Sequence, residues 1–302
     1  MKGRKTKSIC SVLALVVLMV ASPLAFAGSL EPPGPPSPTM KTLDEVEPRI
    51  PIHASDIPLT IIEPNSYYLT EDINVPTTPI TVAANDVTID LMGYTITGPD
   101  TGTNYGIYLF GHDNMEIRNG TVRDFYIGIK GGNDSENLRV IDVRSISNKQ
   151  WGIALIGTGN LIKDCTASDN GHSSTGGNVH GIYAGRGSTV TGCIVSNNGY
   201  QATADVHGIS VEYGCTVTGN TVFGNGELAN ADVYGIHATG STVIGNTVVE
   251  NGTSAIGDAN GIYLVGSCLV DQNTSIGNGS GAASATNMNS CGTCTLGTNH
   301  TP

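Results

Sequence analysis

Six asparagines recur in phase along this chain: Asn148, Asn170, Asn198, Asn225, Asn251 and Asn278, spaced by 22, 28, 27, 26 and 27 residues. Five of them are followed by glycine. Eight residues before each stands a β-branched residue: Val140, Ile162, Val190, Val217, Val243 or Val270. Five residues before each is Val143, Cys165, Cys193, Asn220, Asn246 or Asn273. A glycine-isoleucine pair keeps the same phase at residues 106–107, 128–129, 152–153, 181–182, 208–209, 235–236 and 261–262. Each repeat therefore holds at least two short strands, and none shows a helical period. A unit this small, made of strands and turns, cannot bury its own apolar face, whereas stacked copies can. The repeat predicts an all-β, single-stranded parallel β-helix, a solenoid of about nine coils with equivalent residues about 4.8 Å apart. The isoleucines should then form an interior column, and the asparagines should hydrogen-bond along the stack.

The N-terminus reads differently. Lys2, Arg4, Lys5 and Lys7 precede an apolar run at residues 12–20 and the small-x-small site Ala25-Phe26-Ala27. That order predicts a signal peptide over residues 1–27, and the run is too short for a spanning helix. A proline-rich linker follows at residues 28–41, then a possible N-terminal cap at 42–56. The β-helix is expected over 57–302, with a disulfide-containing C-terminal end. The full chain has 14 basic and 26 acidic residues. Loss of the signal leaves ten basic residues against 26 acidic ones, a net charge of −16. So acidic a chain disfavours nucleic acid and anionic membrane as partners. The expected location is outside the cytoplasm: secreted, periplasmic or at the cell surface.

The connection from each ladder asparagine to the next glycine-isoleucine pair is four residues after Asn148, but eleven, ten, ten and ten after Asn170, Asn198, Asn225 and Asn251. These longer loops are expected to break the regularity of one edge and to build a binding wall. They end in a column of Asn178, Asp205, Asp232 and Asp258. Next comes a column of Trp151, His180, His207, Tyr234 and Asn260, just before the glycine. Two residues after the glycine stand Tyr108, Lys130, Ala154, Tyr183, Ser210, His237 and Tyr263. This last column should point outward if the isoleucine points in. Strict alternation turns the residue before glycine inward, but a turn there would reverse it, so the histidines are either packing residues or groove-lining ones. An aromatic ring can cover the apolar face of a sugar while its polar tip bonds hydroxyls. Tyr108, Lys130, Trp151, Tyr183, Tyr234, His237 and Tyr263 are therefore candidate substrate-binding residues.

The run of glycine-isoleucine, then Thr-Val-x-Gly-Asn-Thr-Val-x-x-Asn-Gly, resembles the right-handed parallel β-helix repeats of the pectin-lyase-like superfamily, of an exported bacterial type, over about residues 57–290. The resemblance implies a right-handed helix and a polysaccharide or cell-surface glycan as partner. In its polygalacturonase-like branch an acid or histidine stands just before a glycine-hydrophobic strand start, and His180-Gly181-Ile182 and His207-Gly208-Ile209 match that position. The chain departs from the family elsewhere. It has no Asp-Asp pair, no Arg-Ile-Lys, no Asp-Pro-His and no Arg-x-Pro-x-Arg element, so no catalytic set transfers whole.

Two functions compete. One is a carbohydrate-active protein, a lyase or hydrolase, with His207 or His180 as acid or base and Asp205 and Asp232 as carboxylate partners. The other is a non-catalytic surface or adhesin-type β-helix that binds glycans. The aspartates have two readings of their own. They can cap turns, or Asp205, Asp232 and Asp258 can share a calcium ion, whose charge would relieve their mutual repulsion. Cys165 and Cys193 fall in one column on adjacent coils and are expected to form a disulfide; Cys291 and Cys294 are expected to take part in disulfides that lock the C-terminal end, with their connectivity open.

Overall fold

The computed structural model describes residues 48–172, 174, 176–289 and 292–301. They belong to one compact unit, Pro48–Pro302. The expected signal peptide, linker and first part of the cap all lie outside the described residues. The fold is an all-β solenoid of about nine turns. Its strands are all paired in parallel and in register, starting at Ile50–Ile52, which pairs with Ser66–Leu69 ahead of position 57.

Three ladders run along the axis. The glycine-isoleucine ladder contains ten strands, among them Tyr105–Leu109, Trp151–Leu155, Val179–Ala184, Val206–Val211, Val233–Thr239 and Asp258–Val265. A second ladder carries the first Thr-Val segment of each repeat, such as Thr189–Thr191 and Thr216–Thr218. A third carries the next segment, such as Ile194–Ser196 and Thr221–Phe223. The second and third ladders meet at a sharp corner. There one residue per coil has left-handed backbone: Asn119, Asp142, Asp164, Gly192, Gly219, Gly245 and Gln272, with φ between 52° and 66°. Glycine, asparagine and aspartate tolerate that region best, which explains the Thr-Val-x-Gly-Asn signature.

Each ladder sends one file of small apolar side chains inward. Ile107, Ile129, Ile153, Ile182, Ile209, Ile236 and Ile262 are mutual register partners, and all are fully buried. So are the expected Val140, Ile162, Val190, Val217, Val243 and Val270. β-branched residues suit a pleated, fully buried surface.

The asparagines are the polar spine of this core. In the first spine, Nδ2 of Asn148, Asn170, Asn198, Asn225 and Asn251 each donates to Oδ1 of the asparagine one coil on, at 2.8–2.9 Å. The backbone N–H of the same residue donates to the same oxygen. A second spine runs through Asn220, Asn246, Asn273 and Asn299 in the same manner. Cys193 and Cys165 continue this second column toward the N-terminus, and here the structure corrects the expected disulfide: both are free thiols. Cys165 Sγ donates to the carbonyls of Val140 and Lys163. Asn246 Nδ2 likewise donates to Val217 and Ile244, one coil back and two residues back. The thiol thus replaces the amide donor. Cys215 and Cys268 are also free and buried. Cys294 is disulfide-bonded, as expected of the C-terminal cysteines, and Cys291 lies outside the described residues.

The long loops do not break the regularity of their edge. They stack in register, with Asn230 N–H donating to Ala202 O and Ile256 N–H to Ala229 O, both at 2.8 Å. Beneath them Val179, Ala202, Val206, Ala229, Val233, Ala255 and Ala259 form a second small core, separate from the main one. The wall expected from loop length is an ordered lateral extension of the solenoid.

Candidate functional site

The glycine in each glycine-isoleucine pair decides which residues face out. Register pairing skips it: Trp151 pairs with His180 and Ile153 with Ile182, and likewise down the ladder. A Cβ on Gly181 would point inward, 2.5 Å from Val195 Cγ1 and 2.7 Å from Asn198 Nδ2. Glycine and isoleucine therefore both face the interior, a local bulge. The residues on either side of the pair both face out. The two columns that strict alternation would place on opposite faces merge into one outer surface.

That surface is a continuous file of rings. Trp151 meets His180 edge-on at 4.8 Å and stacks with Tyr183 at 5.9 Å and 18°. His180 contacts His207 at 4.6 Å, and His207 contacts Tyr234 at 5.0 Å. His237 lies between His207 and Tyr263, stacked on each at 21° and 19°. Lys130 Nζ sits 5.2 Å from the centre of the Trp151 ring, a cation–π contact. Tyr108 belongs to a smaller group at the N-terminal end, with Tyr105 and Phe110 at 5.1 and 5.4 Å. All seven expected binding residues are thus brought onto one face. Their rings, however, lie against one another along the axis. Much of the ring face expected to cover a sugar is spent on neighbours, and the Trp151, Tyr183, Tyr234, His237 and Tyr263 rings are the half-buried members that reach the surface.

His180 and His207 are only 6% and 7% exposed, and their Nδ1 atoms are 3.2 Å apart. Burial, reinforced by the charge that His237 would carry, drives the His180 pKa down to about 3. Burial and the two neighbouring histidines push His207 well below its usual value. Both rings are therefore neutral near neutral pH, and one N–H can serve the other's lone pair. Neither imidazole is a proton donor of ordinary strength. The unfolded chain protonates these histidines near pH 6.5 while the native state resists, so native stability is complete above that value. It should fall as pH drops toward about 3, by up to about 1.4 kcal/mol per pH unit for each histidine. Histidine Cε1–H shifts that stay at neutral values at pH 5 in the native protein would confirm it; normal titration of all seven histidines would refute it.

The aspartate column flanks the file on the loop side. Asp232 Oδ1 accepts the Asp258 N–H at 2.8 Å, and its Oδ2 accepts the Tyr234 hydroxyl at 3.2 Å. Asp232 thus ties two coils together, the turn-capping role. Burial, with the neighbouring Asp232 charge, raises the Asp205 pKa. Among the described residues no three histidine, cysteine or acidic side chains are grouped so that they could hold a metal ion. This corrects the calcium set of Asp205, Asp232 and Asp258: their carboxylates are spread over three coils, and Asp232 is committed to hydrogen bonds. On the opposite side Glu212 accepts the Tyr183 hydroxyl. Burial first, then that hydrogen bond, raises the Tyr183 pKa. Sequence reasoning missed Glu212, which follows its glycine by four residues and has no acidic counterpart on neighbouring coils.

The chain belongs to the right handed beta helix region family, whose model matches residues 82–252. It is similar in structure to the A-module of the mannuronan C-5 epimerase AlgE4 of Azotobacter vinelandii, with a TM-score of 0.51 and 13% identity, covering 83% of each chain. Pectate lyase Pel9A is also similar, with a TM-score of 0.43 and 12% identity, over 79% of this chain and 72% of that one. At these identities the likeness is one of fold. No curated protein matches the sequence.

Proposed function

We propose that this is an exported β-helix protein that binds an extended, uncharged polysaccharide along its glycine-isoleucine face. The observation that carries this reading is the unbroken file of ring contacts from Trp151 to Tyr263 on five adjacent coils. Coils about 4.8 Å apart repeat on the scale of one sugar unit, so hydroxyl and imidazole tips recur where a glycan presents hydroxyls. The flanking acids Asp205, Asp232 and Glu212, with Lys130 the cation on the face, favour a neutral chain over a polyanion. A mannuronan epimerase shares the fold, which supports the idea that such a scaffold can accommodate a polysaccharide. The neutral His180–His207 pair supports binding without histidine acid catalysis.

Hydrolysis is the second reading, and one observation favours it. Asp205, with its raised pKa, lies beside Asp232, and unequal carboxyl pairs serve glycoside cleavage. A screen of neutral and uronic-acid polysaccharides tests both. Retention of a neutral glycan is expected, weakened about tenfold by Trp151→Ala and unchanged by Thr216→Ala on the second ladder. Retention of no glycan, or of one indifferent to Trp151→Ala, rejects the proposal. Depolymerisation abolished by Asp205→Asn establishes the second reading.

A further inference from the structure

We propose that a cavity of about 450 Å³ at the foot of the loop wall is a separate binding site for a single uncharged sugar unit. It lies where the short connection after Asn148 meets the first long one after Asn170. Gln150 Nε2 donates to Gly176 O and Trp151 Nε1 to Asn178 O, so the long loop is anchored onto the short coil and a step is left beside it. Four successive coils line the cavity, with Asp100, Arg123, Asp124, Lys149, Asp169 and His172.

The lining chemistry selects the ligand. Arg123 pairs with Asp124 at 2.8 Å, and Lys149 with Asp100 at 3.7 Å. Two of the three carboxylates are matched in this way and Asp169 is left over, so the lining carries a single net negative charge that disfavours an anion. The walls do offer both carboxylate acceptors and guanidinium and ammonium donors, which suits a ligand that donates and accepts at adjacent atoms. Vicinal hydroxyls do this: one carboxylate can take two of them, and a cation can donate to a hydroxyl or ring oxygen. Hydrogen bonds to charged groups are the strong ones. The Lys149–Asp100 pair is long, and its members are 39% and 75% exposed, so it can open around a ligand at little cost. The His172 ring stacks on Tyr200 at 5.0 Å and 28°, giving the loop side a flat wall. The volume lies within the usual range for small-ligand sites, about 300–1,000 Å³. A wall without a large aliphatic side chain argues against an apolar ligand.

This site stands independently of the ring file, and the test separates them. The full-length protein is titrated with glucose, galactose, mannose and glucuronate, read by saturation-transfer NMR and calorimetry. At least one neutral hexose is expected to bind and to move the His172 ring resonances, assigned with His172→Gln. Lys149→Gln and Asp169→Asn should each weaken it about tenfold, the loss of one charge-assisted bond apiece. Asp169 has left-handed backbone, which asparagine also accepts. Tyr263→Ala, at the far end of the file, should leave hexose affinity within about twofold. Binding of none of the hexoses, preference for glucuronate, no His172 shift, or loss in Tyr263→Ala each overturns the proposal. The His172 readout uses the unmodified protein, so the test survives a variant that fails to fold.

Discussion

Asn198→Ala should destabilise the solenoid by about 2–5 kcal/mol. Its Oδ1 accepts both the backbone N–H and the Nδ2 of Asn170, at 3.0 and 2.8 Å. Both donors are fully buried, and each unsatisfied buried group costs about 1–3 kcal/mol. Its own Nδ2 donates to Ala167 O and Asn225 Oδ1, so two acceptors lose a partner as well. Asn198→Leu, which restores side-chain volume, should cost nearly as much, since it leaves the same donors unpaired. Denaturant midpoints of the two variants decide the matter. A near-neutral Asn198→Leu would mean that packing, not the polar spine, holds the coils together. Because each coil contacts mainly its neighbours, the loss should concentrate around coils 170–225, with faster amide exchange there and little change at Ile80–Val82.

Gly208→Ala should cost about 1–3 kcal/mol by overpacking, and it should also disorder the ring file. The added Cβ would stand 2.6 Å from Gly235 O, 2.6 Å from Val222 Cγ1 and 3.0 Å from Asn225 Nδ2. Backbone on one side and the asparagine spine on the other leave nothing flexible to move. The bulge that turns His207 outward would have to shift, and with it the His180–His207 contact. The measurable sign is a change in the histidine Nδ1 environment together with a lower unfolding midpoint. An unperturbed histidine spectrum would show that the glycine does not set the direction of its neighbour.

The stacked architecture was legible because its determinants are local and periodic. Asparagine, glycine and β-branched residues at one phase leave a solenoid as the economical way to bury them, and the in-register Ile107–Ile262 column follows. The face was legible only in part. Alternation by two assigns the Tyr183 column outward and the His180 column inward, and the rule fails because Gly181 and Ile182 both face the core. That depends on how closely the Asn198 spine approaches the strand, a contact between residues far apart in sequence. The thiols misled for a related reason. Column membership gives the spacing of Cys165 and Cys193 correctly, but not that their Sγ atoms are occupied as donors to Val140, Lys163, Ile162 and Thr191 carbonyls. The second small core was hidden because alanines at residues 202, 229 and 255 carry too weak an apolar signal to separate a packed layer from a loop.

The asparagine spine also has a direction. From Asn170 onward each amide donates one hydrogen back to a carbonyl of the preceding coil, but the other, with the backbone N–H, goes to the asparagine nearer the C-terminus, so those two donors are satisfied only when the following coil docks. At the far end Asn287, nine residues on, accepts from both Asn278 nitrogens in place of a further full turn. A chain emerging N-terminus first would therefore expose, at its newest coil, two asparagine donors that the next coil accepts, and Asn287 caps the last pair in this row.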